Sequence, residues 1–153
     1  MSTPSAIILA AGKGTRMNSD LPKVAHEVAG QAMVRWVVEA CRGAGCRKIV
    51  VVVGYAQEVV RKALSGLEVE FAVQNEQHGT GHAVRCAESL FQNAGAVQPG
   101  DAFVLAGDGP LIRDITLKTL LERHRATKSA ATLATSVIDD PAGYGYAHGD
   151  PVG

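Results

Sequence analysis

The sequence predicts an α/β fold, a mainly parallel sheet with helices on both faces. Three observations carry that expectation. Short β-branched apolar runs alternate along the chain with longer stretches of helical period. The runs are almost continuously hydrophobic, the pattern of strands covered on both sides. The segments richest in glycine and charge each follow such a run, where an open parallel sheet gathers its ligands.

The expected strands are Ala6 to Leu9, Lys48 to Val53, Glu68 to Val73, Asp101 to Leu105 and Ala130 to Ile138. Between them, Met33, Trp36, Val37, Ala40 and Cys41 recur at helical spacing, and Gly43 and Gly45 stop that helix. Val59, Val60, Ala63 and Leu64 mark a second helix, and Ala83, Val84, Ala87, Leu90 and Phe91 a third. A fourth begins after Asp114, read as its N-cap, with Leu117, Leu120, Leu121 and His124 on one face. There is no internal repeat, and "QNAGAVQPGD" reads as a surface connection.

At 153 residues the chain fits one domain, with 46% apolar and 20% charged residues, a soluble globular balance. Fifteen basic and fifteen acidic side chains cancel, so bulk charge favours neither nucleic acid nor membrane as a partner. Any anion binding must be local. The longest apolar run, Ile49 to Val53, is too short to span a bilayer, and the N-terminus lacks the pattern of a signal peptide. A cytoplasmic location is expected. Cys41, Cys46 and Cys86 form neither a disulfide framework nor a zinc pattern and read as structural thiols. His78 and His82 would need a helix already running at His78 to share a metal, and Gly79 and Gly81 oppose one there.

Three segments carry the chemistry. In "LAAGKGTRMNSDLPK" Gly12 and Gly14 let backbone N–H groups approach an anion, Arg16 can fork onto phosphate oxygens, and Lys13 and Lys23 are mobile point charges. The spacing matches neither the P-loop nor the dinucleotide fingerprint, and a solvated turn remains the alternative. In "VQNEQHGTGHAV" Gln74 can offer its amide to a base edge and Gly79 leaves room for a flat ring. Thr80 is a good N-cap for the helix that follows. In "VLAGDGPLI" Asp108 stands at a strand end facing the cationic loop, suited to a Mg²⁺ that bridges substrate phosphates. Asp-Gly is also a common turn. The last segment, "DDPAGYGYAHGDPVG", is turn-rich.

These segments, in this order, resemble the sugar-nucleotide pyrophosphorylases, a family of nucleotidyltransferases with a Rossmann-like fold. The likeness is strongest to the N-terminal uridyltransferase domains of the bifunctional N-acetylglucosamine-1-phosphate uridyltransferases/glucosamine-1-phosphate acetyltransferases. "LAAGKGTRM…LPK" is similar to the family's signature loop, "QNEQHGTGHAV" to its uracil-binding turn, "AGDGPLI" to its metal-binding strand end, and "DPAGYG" to its sugar segment. The resemblance implies that Leu9, Ala10, Ala11 and Gly12 line the nucleotide, with Gln74, Gly79 and Thr80 on uracil and Ala106 and Gly107 beside the nucleoside. It implies Arg16 and Lys23 as catalytic residues on the phosphates, Asp108 as the ligand of a Mg²⁺ cofactor, and Gly145 on the sugar. The implied reaction joins UTP and N-acetylglucosamine 1-phosphate to give UDP-N-acetylglucosamine and pyrophosphate.

Residues 1–153 then correspond to the nucleotide-binding part of a longer family domain, without the acceptor-sugar part and the β-helix domain. The family's trimers rest largely on that β-helix, so a monomer or weak homodimer is expected. Tyr146 stands where the family usually has a basic residue, Ala106 where members often have a hydroxyl-bearing aromatic, and Gly109 where they have an aliphatic residue. Two other readings are open: a catalytically impaired module holding only the UTP half, which shares every motif, and a nucleotidyltransferase with another base or acceptor, against which the Gln74 turn speaks where the base differs.

Overall fold

The computed structural model describes residues 2–14, 17–92 and 100–140. Four strands form an all-parallel sheet: β1 (Ser5–Ala10), β4 (Lys48–Val53), β5 (Glu70–Val73) and β6 (Ala102–Ala106), in the order β5-β4-β1-β6. Two short strands, β2 (Glu27–Val28) and β3 (Gln31–Ala32), make a separate antiparallel pair just before helix α1 (Met33–Gly43). The remaining helices are α2 (Gln57–Ala63), α3 (Thr80–Cys86), α4 (Glu88–Gln92) and α5 (Asp114–Thr127).

Alternation along the central strands divides the core between the two faces. Ala6, Ile8, Ala10, Ile49, Val51 and Val53 pack with Val34, Val37, Val38 and Cys41 of α1, Val60 of α2 and Leu117 of α5. On the opposite face Ile7, Val50, Val52 and Ala72 meet Ala83 of α3 and Ala87, with Leu90 and Phe91 beside them. Both faces of β1 and β4 are therefore dry, which is why these strands read as unbroken apolar runs. At the amino end of β6 the Asp101 carboxylate accepts a 2.7 Å hydrogen bond from Arg125, which fastens α5 to the sheet.

The order places β1 between β4 and β6. The chain moves outward from β1 through β4 to β5, then returns to pair β6 on the other side of β1. That reversal is the switch point at which an open α/β sheet leaves a crevice at the carboxyl ends of its strands. The loops after β1, β5 and β6 all open at that end.

Several local expectations are corrected. The run Ala130 to Ile138 forms no strand; Leu133 and Val137 lie exposed. Its β-branched composition suits a strand, but among the described residues no strand lies beside it to take up its hydrogen bonds. Strand β5 starts at Glu70, two residues later than Glu68. Thr80 and Asp114 are each the first helical residue rather than the cap; the cap positions are Gly79 and Arg113. The Asp114 carboxylate turns to Lys118, at 2.8 Å, which lowers its pKa. The third helix is two helices, because the chain tightens at Ala87, whose N–H bonds back three residues to Val84. Among the described residues no helix is long and apolar enough to cross a membrane.

Candidate active site

The crevice is built where β1, β5 and β6 end. Gln74, directly after β5, gives its backbone N–H to the Val53 carbonyl at 2.8 Å, extending the parallel ladder by one residue. On the other side Gly107 does the same after β6, its N–H 2.9 Å from the Leu9 carbonyl. A Cβ on Gly107 would sit 2.9 Å from that carbonyl and 3.3 Å from Val24, so only glycine lets the chain pass so close to β1. The first extension holds the loop after β5 against the end of β4, and the second holds the loop after β6 against the end of β1.

A cavity of about 250 Å³ opens between the first two loops, lined by Leu9, Ala11, Gly12, Gln74, Gln77, Gly79, Thr80 and Ala83. Six of these lining residues, Leu9, Ala11, Gly12, Gln74, Gly79 and Thr80, are predicted from the sequence. Ala10 points the other way, its side chain buried in the α1 face of the core. Gln77 is a residue the sequence reading missed. Its amide donates to the Ala11 carbonyl at 3.0 Å, stitching the second loop onto the first. Tyr55, at the end of β4, donates its backbone N–H to the same carbonyl at 3.1 Å.

Lys23 and Asp108 meet beside β1. Lys23 Nζ lies 2.7 Å from Asp108 Oδ2, with both side chains partly exposed. Lys23 opens a short 3-10 turn, Lys23–Ala25, anchored by buried Val24 and Ala25. Gly14 brings the opening loop back over it: its φ is +69°, and a Cβ there would stand 2.5 Å from the Lys23 Cβ. Lys13 is placed differently, with its ammonium 5.1 Å from the centre of the Tyr55 ring. Ala106 ends β6 next to Gly107. Arg16, Gly145 and Tyr146 lie outside the described residues.

Gln74 is the most buried polar side chain of the crevice. Its Nε2 lies 3.2 Å from the Gly79 carbonyl and 3.0 Å from His82 Nδ1. From the sequence alone His82 is a candidate only as a metal partner of His78. The helix starts at Thr80 and leaves His78 outside it, against Glu76 at 2.7 Å. No group of three or more His, Cys, Asp or Glu side chains converges on a metal position among the described residues. Cys41 and Cys46 are buried free thiols; the hydrogen bond between them and burial push the Cys41 thiol far up, and the same hydrogen bond lowers Cys46. A wider cavity, about 620 Å³, lies between β6, α5 and residues 130–134 and contains none of the predicted site residues.

An all-parallel sheet that reverses at β1, with glycine-bearing loops and a cation–carboxylate pair at the strand ends, defines a nucleotidyltransferase-type α/β domain. Comparison with known proteins agrees. Residues 6–149 match the MobA-like NTP transferase domain, and the chain belongs to that family. It is 49% identical over 142 residues to the bifunctional protein GlmU of Syntrophomonas wolfei, covering 92% of this chain and 30% of that protein. The GlmU of Streptococcus mutans is 52% identical over 143 residues, with 94% and 30% covered. The chain thus spans about 30% of the curated relatives' length. Among solved structures, a nucleotidyl transferase from Methanothermobacter thermautotroptrophicus superposes with a TM-score of 0.66 at 26% identity, covering 80% of this chain and 58% of that one. Rv0371c from Mycobacterium tuberculosis, solved in complex with manganese, shares the fold at a TM-score of 0.63 and 21% identity, over 82% of this chain and 61% of that one.

Proposed function

We propose that this chain is the nucleotide-binding part of a cytoplasmic uridyltransferase that uses UTP and Mg²⁺, with N-acetylglucosamine 1-phosphate as acceptor. One observation carries the reading. A cavity with a buried amide on one side of β1 and a cation–carboxylate pair on the other are joined through Leu9, which lines the first and holds Gly107 of the second. That arrangement suits a ligand with a flat base at one end and phosphates at the other. Identity to GlmU proteins supports the choice of UTP and of the acceptor sugar.

The donor set suits a divalent cation. Asp108 holds a positive charge at 2.7 Å in the form of the Lys23 ammonium, a stand-in for an ion at the same carboxylate. A single carboxylate is enough for Mg²⁺ when substrate phosphates and water complete its shell. When bound, Mg²⁺ would offset the phosphate charge that builds as pyrophosphate leaves.

The chain's own residues do the positioning. Gln74, Gly79 and Thr80 orient the base, and the backbone of residues 9–12 lines the nucleotide. Lys23 leaves Asp108 for the phosphates at the reacting centre. Arg16 takes the departing β- and γ-phosphates, and Gly145 approaches the sugar, both roles resting on the family resemblance. An oxygen of the sugar 1-phosphate attacks the α-phosphorus of UTP, the new P–O bond forms, and the bond to the β-phosphate oxygen breaks. No covalent enzyme intermediate is required, so catalysis reduces to orientation and charge stabilisation.

The test is pyrophosphate release from UTP and N-acetylglucosamine 1-phosphate with Mg²⁺. Release supports the enzyme. Tight UTP binding with no release at high enzyme concentration replaces it by a nucleotide-binding module.

A further inference from the structure

We infer that His82 is a positioning residue for base selection, locking the Gln74 amide so that its oxygen alone faces the ligand. The inference rests on the reading of Gln74 as a contact to the base. The Gly79 carbonyl can only accept, so the Gln74 side-chain atom 3.2 Å from it must be the NH₂ nitrogen. The same nitrogen lies 3.0 Å from His82 Nδ1, which must therefore carry a lone pair. Both protons of the amide are spent. Gly79's carbonyl also accepts from the Ala83 N–H at 3.2 Å, so it is fixed from the start of α3.

The His82 tautomer follows. With Nδ1 accepting, the ring proton sits on Nε2 and faces the Cys86 sulfur at 3.9 Å, a weak acceptor. The His78 ring stands edge-on at 5.1 Å and holds the imidazole from the other side. Among the described residues the side-chain hydrogen bonds of Gln74 are all made by Nε2, and Oε1 is not among the fully buried unpaired atoms, so it keeps solvent access on a side chain that lines the cavity. The base there must bring an N–H. Uracil offers one at N3, whereas cytosine presents a lone pair at that position. A free glutamine would flip and serve either base. Here a flip would turn Oε1 onto the Gly79 carbonyl and the His82 lone pair together.

The experiment is calorimetric binding of UTP and CTP, each with Mg²⁺, to the full chain and to His82→Leu and His82→Asn. The wild type is expected to prefer UTP. His82→Leu narrows that preference by about three- to tenfold, the worth of one hydrogen bond. His82→Asn keeps an oxygen acceptor near the Nδ1 position and restores it. A purely structural role would weaken both nucleotides alike and leave their ratio unchanged, which overturns the inference. So does equal narrowing in both variants. Long-range ¹H–¹⁵N spectra of the wild type at pH 8 decide the matter if the variants fail to fold. The Nε2–H tautomer is expected, and an Nδ1–H tautomer overturns the lock. A wild type that binds neither nucleotide overturns the nucleotide reading itself, a result distinct from UTP binding with an unmoved ratio.

Discussion

Lys23 Nζ and Asp108 Oδ2 stand 2.7 Å apart, so the residue proposed for the phosphates occupies the carboxylate proposed for the metal. Both side chains are partly exposed, and such a pair is worth only about 0–1 kcal/mol. A triphosphate and a divalent cation together would outcompete it. In the proposed mechanism the pair keeps both groups in place before substrate arrives.

Lys23→Ala should lower pyrophosphate release by about 100-fold, the order expected when one stabilising cation is removed from developing charge. Its urea midpoint should stay close to that of the wild type, because a weak surface pair is all that folding loses. Unchanged release would remove Lys23 from the mechanism.

Asp108→Asn should weaken Mn²⁺ binding in the presence of UTP by about tenfold or more, followed by electron paramagnetic resonance of the free ion. Equal Mn²⁺ affinity in the two proteins would place the metal elsewhere.

Gly14→Ala tests the link between the opening loop and Lys23. The added methyl group would stand 2.5 Å from the Lys23 Cβ, on a backbone with φ of +69°. The loop must shift, and a loss of about 1–3 kcal/mol is expected in urea unfolding, with weaker UTP binding. A variant as stable as the wild type, with unchanged affinity, would show that the contact has no role.

Native thiols should separate by access. Cys41 and Cys46 are buried, and Cys46 stays sealed even though its pKa is lowered. Cys86 is half-exposed. An aromatic disulfide reagent should label one thiol quickly and the other two only on unfolding.

Leu117→Ala should cost about 2–5 kcal/mol in equilibrium unfolding. Leu117 is fully buried in the α1 face of the core and is the one residue of α5 that is. A cost below this range would mean that α5 is loosely held.

The fold class was legible because β1 and β4 are covered on both sides, so their residues carry the hydrophobic signal without alternation. The site loops were legible because a parallel sheet opens its ligand crevice at the carboxyl ends of its strands. Their residue types, Gly12, Lys23, Gln74 and Asp108, are what the proposed chemistry rests on. Ala130 to Ile138 shows where local composition stops being enough. A strand exists only if another strand accepts its hydrogen bonds, and that is a property of the neighbours.

The sequence by itself determined which segments bear glycine, cation and carboxylate, and in what order they follow the strands. Only the tertiary structure decided who faces whom. Lys23 meets Asp108, far along the chain, because β6 returns to pair with β1. Gln77 bonds to Ala11, and His82 takes the second proton of Gln74, because loop and helix start converge on one strand end. Such contacts have no period or spacing in the chain. They arise from sheet order, which places residues remote in sequence within hydrogen-bond reach.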